Sequence, residues 1–418
     1  MSDSGHGRGT AWVVFGLLAI VMYGNFYVYD SIGPVADLLQ RQRAFNSAQI
    51  GMLNAIYALP NVVLILVGGI LVDRYGAARV TLFTAAVCLA GAALTAFSPS
   101  FAGMAAGRLL FGIGAETFNV GIIVAIAENF AGGSIAFAMG LTIGIGRLGS
   151  FSADMSPTWF ANAYRHGWQP PLMIAALVAA VSFAAGMGYW WFDRRIRGNT
   201  RVSDTARLFV RGDLLRFGSA YWYLLALCVL WYAVIFAFRS TFSIEYFQHA
   251  HGLDLAAAGA MNSYVFLAAI FTTPAFGWVC DRIGRYAPML AFGALLLPLS
   301  IAVMALTHWS LWVGTVMIGV SFSLVPAVMW PLTSKLVSPA RFGTALGLMS
   351  VIQNAGIAGA NLVAGSLNDW TTASAQNPAG YQPMMLFFGA ASTLGFIFAL
   401  LLWFTAGRRQ HEAVAHAR

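Results

Sequence analysis

Two opposite charges stand inside apolar stretches of this chain. Glu116 lies in GRLLFGIGAETFNVGIIVAIAENF (107–130), and Arg147 lies in AMGLTIGIGRLGSFSADM (138–155). An ionised group at the centre of a bilayer costs about 2.5–3.5 kcal/mol on insertion scales, so each position asks for a chemical reason. A carboxylate accepts from an ammonium group, and the planar fork of an arginine grips a carboxylate through two parallel bonds. Together Glu116 and Arg147 would hold the two ends of a zwitterion. The same pair would also serve as a buried salt bridge between two helices, in which case loss of either partner is strongly destabilising.

Other polar residues extend this pattern. Asp154 follows Arg147 by seven residues, two helical turns, and so shares its face. It would pair with Arg147, take up a proton, or sit near the outer mouth. Tyr23, Tyr27 and Asp30 follow i, i+4, i+7 spacing in FYVYD and its approach. Tyr27 would line a cavity, and Asp30 would join Glu116 and Asp154 as a proton carrier. The alternative is an outer-end cap within an interfacial aromatic belt. Arg239, in WYAVIFAFRSTFSIEYF, would add positive charge for an anionic substrate; otherwise it pairs with Glu245 or snorkels outward. Trp330 beside Pro331, with Gln353 and Asn354, would orient a substrate carbonyl or side chain from a discontinuous helix. Packing between helices is the plainer role for such amides.

Nothing points to an enzyme. The seven histidines (6, 166, 249, 251, 308, 411 and 416) lie mostly near the termini or in loops, without a triad or metal spacing. The three cysteines, Cys88, Cys228 and Cys280, are far apart and imply neither a disulfide framework nor a metal site. GIGAE lacks the strand that a nucleotide loop requires, and there is no Walker motif. No cofactor is expected, and a solute or ion gradient must supply any driving force.

The elements that position these residues are membrane helices. The chain has 418 residues, 59% hydrophobic and 9% charged, against about 25% charged in ordinary globular proteins. Twelve apolar segments, each about 20 residues or longer, suffice to cross a hydrocarbon core as helices. They lie near 11–32, 47–72, 79–97, 101–128, 134–160, 170–192, 220–248, 256–279, 287–306, 309–336, 341–364 and 381–405. The short alternating segments of a membrane β-barrel are missing. The net charge of +8 is concentrated between helices 6 and 7, where WFDRRIRGNTRVSDTARLFVRGDLLRFG carries seven arginines. That bias places both termini and this linker in the cytoplasm and argues against nucleic acid as a partner. The N-terminus has no cleavage site of a signal peptide. Abundant arginine with a single lysine, Lys335, suits a bacterial inner membrane.

The basic linker, 193–219, divides the chain into six-helix halves, 1–192 and 220–418 with its short cytoplasmic tail. A repeated loop supports the division. GGILVDRYGAAR contains Gly69, Asp73, Arg74, Gly76 and Arg79; FGWVCDRIGRYAP contains Gly277, Asp281, Arg282, Gly284 and Arg285. Repeated halves are a common plan of secondary transporters. This loop, twice in a 6+6 chain, resembles the major facilitator superfamily. The resemblance implies an all-α membrane protein with twelve transmembrane helices in a pseudo-symmetric fold. It also implies that Asp73, Arg74, Arg79, Asp281, Arg282 and Arg285 form a conformational gate.

A narrower similarity is carried by FYVYDSIGPVADLLQ, YALPNVVLILVGGILVDR, GRLLFGIGAETFNV, GIGRLGSFSADM, MWPLTSKLV and FGTALGLMSVIQNAGIAG. These resemble the lysosomal dipeptide uniporter branch of the superfamily. The resemblance implies that Glu116 meets a substrate amine and Arg147 a substrate carboxylate, in a carrier working by alternating access. Asp154 and Arg239 have no counterpart in that pattern. They leave open a proton-coupled carrier of organic anions or siderophore-like compounds using Arg147 and Arg239. The expected partners are a small-molecule substrate and the lipid bilayer, with the chain acting as a monomer.

Overall fold

The computed structural model describes residues 8–130, 134–197, 217–307, 309–338 and 341–416. Most of the basic linker, 198–216, therefore lies outside the described residues. The described residues contain helices and no strand. Ten helical segments among them are long and apolar enough to cross a membrane. The protein is a multi-pass membrane protein.

Contacts divide the chain into two units: residues 1–45 with 56–207, and residues 46–55 with 208–418. Unit 1 contains α1 (Arg8–Asp30), the short α2 (Ala36–Arg43), and the end of α3 (Ser47–Ala58). It continues with α4 (Asn61–Tyr75), α5 (Ala77–Phe97), α6 (Phe101–Asn129), α7 (Ser134–Trp159), α8 (Ala161–Arg165) and α9 (Gln169–Arg197). Unit 2 contains the start of α3, then α10 (Ser219–Ala237), α11 (Ser243–His251), α12 (Leu255–Ile283) and α13 (Tyr286–Leu306). It closes with α14 (Leu311–Leu336), α15 (Phe342–Trp370) and α16 (Gln382–His416).

The packing plan repeats. In unit 1, α5 packs on α6 and α9, α1 packs on α7 and α9, and α4 packs on α6. In unit 2, α13 packs on α14 and α16, α10 on α15 and α16, and α12 on α14. Small residues permit these contacts, as is usual where lipid gives helices no hydrophobic reason to associate. A Cβ on Gly149 of α7 would sit 2.2 Å from the Tyr23 carbonyl oxygen of α1.

Three helices depart from the expected spans. The segment 47–72 is two helices, parted at Leu59–Pro60, because proline has no N–H and disfavours helix at the residue before it. The seventh segment contains a π-helical turn, Phe238–Phe242, between α10 and α11. The tenth is not discontinuous: α14 runs from Leu311 to Leu336 through Pro326 and Pro331. Neighbouring helices make such prolines tolerable in membrane segments.

Candidate functional site

Glu116 is half-buried on α6. Asn61 Nδ2 donates to its Oε1 at 3.1 Å, and the Tyr57 hydroxyl hydrogen-bonds to the same carboxylate. The helix break delivers both partners: Tyr57 is next to last in α3 and Asn61 opens α4. Their backbone comes close to α6 because Gly112 has no side chain; a Cβ there would lie 2.4 Å from the Tyr57 carbonyl oxygen. Glu116 is thus oriented by two neutral donors.

Beneath this site lies an arginine that the sequence reading passed over. Arg108 is 1% exposed, eight residues before Glu116 on α6. Its Nη1 and Nη2 donate to the carbonyls of Val28 and Tyr29, each at 3.1 Å. Its guanidinium carbon lies 5.4–5.7 Å from the ring centroids of Tyr57, Phe111 and Tyr29. The last carbonyls of a helix have no partner within it, and Arg108 satisfies two of those of α1. Asp30, buried at the end of α1, adds its charge to the surroundings of Arg108. The default suspicion attached to any intramembrane arginine was the signal that would have found it.

Arg147 is half-buried on α7, its guanidinium 5.6 Å from the Phe26 ring centroid on α1. Sequence adjacency suggests that α6 and α7 flank each other, yet α7 packs chiefly on α1 while α6 packs on α4 and α5. Glu116 and Arg147 therefore stand on different helix pairs of one unit. Asp154 is 2% exposed and lies within electrostatic reach of Tyr164. Ser156 Oγ and the Tyr164 hydroxyl are 2.5 Å apart, and the Tyr27 hydroxyl bonds to Ser156. Tyr27 and Asp154, each singled out separately in the sequence, thus both lie beside Tyr164 and Ser156, two residues not anticipated. The Tyr23 ring stacks beside Tyr27 at 6.3 Å.

In unit 2, Arg239 occupies the π-helical turn and is 3% exposed. Its guanidinium carbon lies 3.7 Å from the Phe266 ring centroid, and Nη1 donates to Ser240 Oγ at 3.1 Å. Its carbonyl, freed by the turn, accepts from Ser243 Oγ at 2.8 Å and Asn262 Nδ2 at 3.1 Å. Glu245 accepts from the Tyr381 hydroxyl at 2.7 Å, with His249 Nδ1 3.8 Å away. Trp330 is half-buried near Tyr232, with ring centroids 6.5 Å apart. Gln353 accepts a weak bond from the Cys228 thiol at 3.6 Å. Asn354 donates to the Ser350 carbonyl of its own helix at 3.0 Å.

The repeated loops are exposed. Asp73 and Arg74 end α4, Gly76 turns the chain at φ +84°, and Arg79 lies in the first turn of α5. In the second copy Gly284 turns at φ +69°, Arg282 lies over the Trp278 ring at 5.3 Å, and Arg285 precedes α13. Asp281 is in the last turns of α12, and its side chain lies outside the described residues. Among the described residues no cluster of three histidine, cysteine or acidic side chains is suited to a metal ion.

A model of the Major Facilitator Superfamily matches residues 15–360 and 232–418. The lysosomal dipeptide transporter MFSD1 of Bos taurus is 27% identical over 405 residues, covering 94% of this chain and 85% of that protein. The MFSD1 protein of Danio rerio is 28% identical over 395 residues, covering 91% and 84%. Among solved structures, the peptide transporter POT in complex with alafosfalin is similar at a TM-score of 0.75. It shares 15% identity, covering 98% of this chain and 96% of that one, a likeness of fold.

Proposed function

The chain belongs to the major facilitator superfamily, and from that premise we propose that it carries small zwitterions, dipeptides or amino acids, by alternating access. The transporter class follows from the family; the substrate class is our inference. The observation that carries it is the setting of Glu116, a membrane carboxylate held by the neutral donors Asn61 and Tyr57. Such a carboxylate is oriented to receive a visiting ammonium group. Arg147, beside Phe26 in the same unit, is the group for the substrate carboxylate. The dipeptide transporters of animal lysosomes, similar along nearly the whole chain, support the reading. The positive-inside bias supports an inner-membrane location with cytoplasmic termini. The exposed loops around Asp73 and Asp281 act as the cytoplasmic gate, in which a carboxylate favours helix N-termini and pairs with arginine.

The test is uptake of a labelled neutral dipeptide into liposomes containing the purified protein, with and without an imposed pH gradient. Wild type should transport, while folded Glu116→Gln and Arg147→Ala should not. Stimulation by the gradient would assign proton coupling, with Asp154 and Asp30 the next carboxylates to replace. Uptake of a labelled organic anion that survives Glu116→Gln but needs Arg147 and Arg239 would favour that class of cargo instead.

A further inference from the structure

Glu116 does not have enough acceptor sites to hold an ammonium group by itself. A carboxylate offers roughly four lone-pair sites. Asn61 Nδ2 takes one of them at 3.1 Å, and the Tyr57 hydroxyl takes another. About two sites remain, whereas a primary ammonium brings three N–H donors. A charged donor taken out of water without an acceptor is costly. The arrangement therefore calls for one more acceptor beside Glu116.

Asn119 stands in the right place. It follows Glu116 by three residues on α6, and residues three apart are neighbours on a helix surface. Like Glu116 it is half-buried. Its Oδ1 is enclosed and accepts from no donor among the described residues. Buried side-chain oxygens are nearly always bonded, so one that is not asks for a reason. The terminal torsion of an asparagine is broad and soft, which lets the oxygen turn toward a donor arriving at Glu116.

We propose that Asn119 is a further substrate-binding residue, whose Oδ1 accepts the ammonium N–H that Glu116 leaves over. The pair then selects a primary amine, with three N–H donors, over an N-methylated amine, with two. Two donors match what Glu116 alone still accepts, so methylation removes the bond to Asn119 and keeps the charge. The inference rests on Glu116 receiving the substrate amine. It adds a residue and an amine preference to that reading.

The test is uptake of labelled alanyl-alanine and of its N-methylated form into liposomes containing the purified protein. In wild type the KM of the N-methylated peptide should be about tenfold higher, as expected for one bond to a charged donor. Asn119→Leu removes the oxygen and nearly keeps the volume. There the KM of alanyl-alanine should rise about tenfold to meet that of the N-methylated peptide, with the maximal rate little changed. The melting temperature should hold or rise, because the enclosed oxygen has no bond to lose; a structural asparagine would lower it. An undiminished preference for the primary amine in folded Asn119→Leu overturns the proposal, and so does an equal loss for both peptides. If the leucine does not fold, Asn119→Ala decides by the same ratio. Glu116→Gln separates the two readings. Undiminished uptake in that variant, or no uptake of either peptide by folded wild type, overturns the amine role of Glu116 and this proposal with it. Loss of uptake in Glu116→Gln beside an unaltered Asn119→Leu overturns this proposal alone.

Discussion

The second membrane segment of each unit starts from one plan and arrives at different chemistry. Both end in the repeated loop, at Asp73 and at Asp281. In unit 2 this segment is a single helix, α12, unbroken even by Pro274. In unit 1 it is cut at Leu59–Pro60 into α3 and α4. Sixteen residues before the loop aspartate stands Tyr57 in one copy and Val265 in the other; twelve before it, Asn61 and Ala269. The polar pair of unit 1 is an apolar pair in unit 2, and both sets are buried. The facing helices differ in step. Gly112 lies against Tyr57 and Gly319 against Val265; one turn further on come Glu116 and Ser323. Ser323 is content with neutral bonds, accepting from Thr272 Oγ1 at 2.6 Å and donating to the Gly319 carbonyl at 2.7 Å. The repeated scaffold thus keeps its contacts while one copy carries a charge with the donors to orient it.

That contrast can be broken at its charge first. Glu116→Gln should lower dipeptide uptake in liposomes by between about tenfold and a hundredfold, the range set by a charge-assisted bond of about 1.5–3 kcal/mol. Ser323→Ala, its counterpart, should change the same rate by less than about twofold. The close approaches come next. Gly112→Ala drives a methyl group into the Tyr57 carbonyl and should cost about 1–3 kcal/mol, read as a fall in melting temperature. At Gly319 the nearest atoms to an added Cβ are 3.4 Å away or more, so Gly319→Ala should leave the melting temperature unchanged or raise it. The smallest effects belong to the orienting donors. Tyr57→Phe and Asn61→Ala should each reduce uptake by about two- to tenfold, as expected for a neutral bond of about 0.5–1.5 kcal/mol, without loss of fold.

What the sequence revealed follows from how membrane helices are encoded. Apolar runs of about 20 residues are dictated by bilayer thickness, and they located the ten spans found between Gly9 and Thr405 among the described residues. The repeated loop was legible because its glycines serve a backbone need, positive φ at Gly76 and Gly284. Partner choice between helices was not legible. Nothing in the short α6–α7 connection says that α7 will pack on α1, since that depends on which faces carry small residues such as Gly149. Glu116, Arg147, Asp154 and Arg239 stood out as charges in apolar surroundings. Tyr57, Asn61 and Ser156 did not, because a tyrosine, an asparagine or a serine in a membrane helix is ordinary until a neighbour gives it work. Pro331 promised a break that α14 does not show, while Pro60 made one that the hydropathy of 47–72 concealed.

Arg108 has a mechanical meaning beyond the bonds it forms. Its forked head stitches the last turn of α1 to the shaft of α6 at two points, inside a collar of aromatic rings. Two fixed points on one rigid plane resist both sliding and twisting, which a lysine's single swivelling head would not. The tip of α1 is thereby tied directly to the helix that carries Glu116. The carboxylate shares its helix with this clamp, eight residues further on.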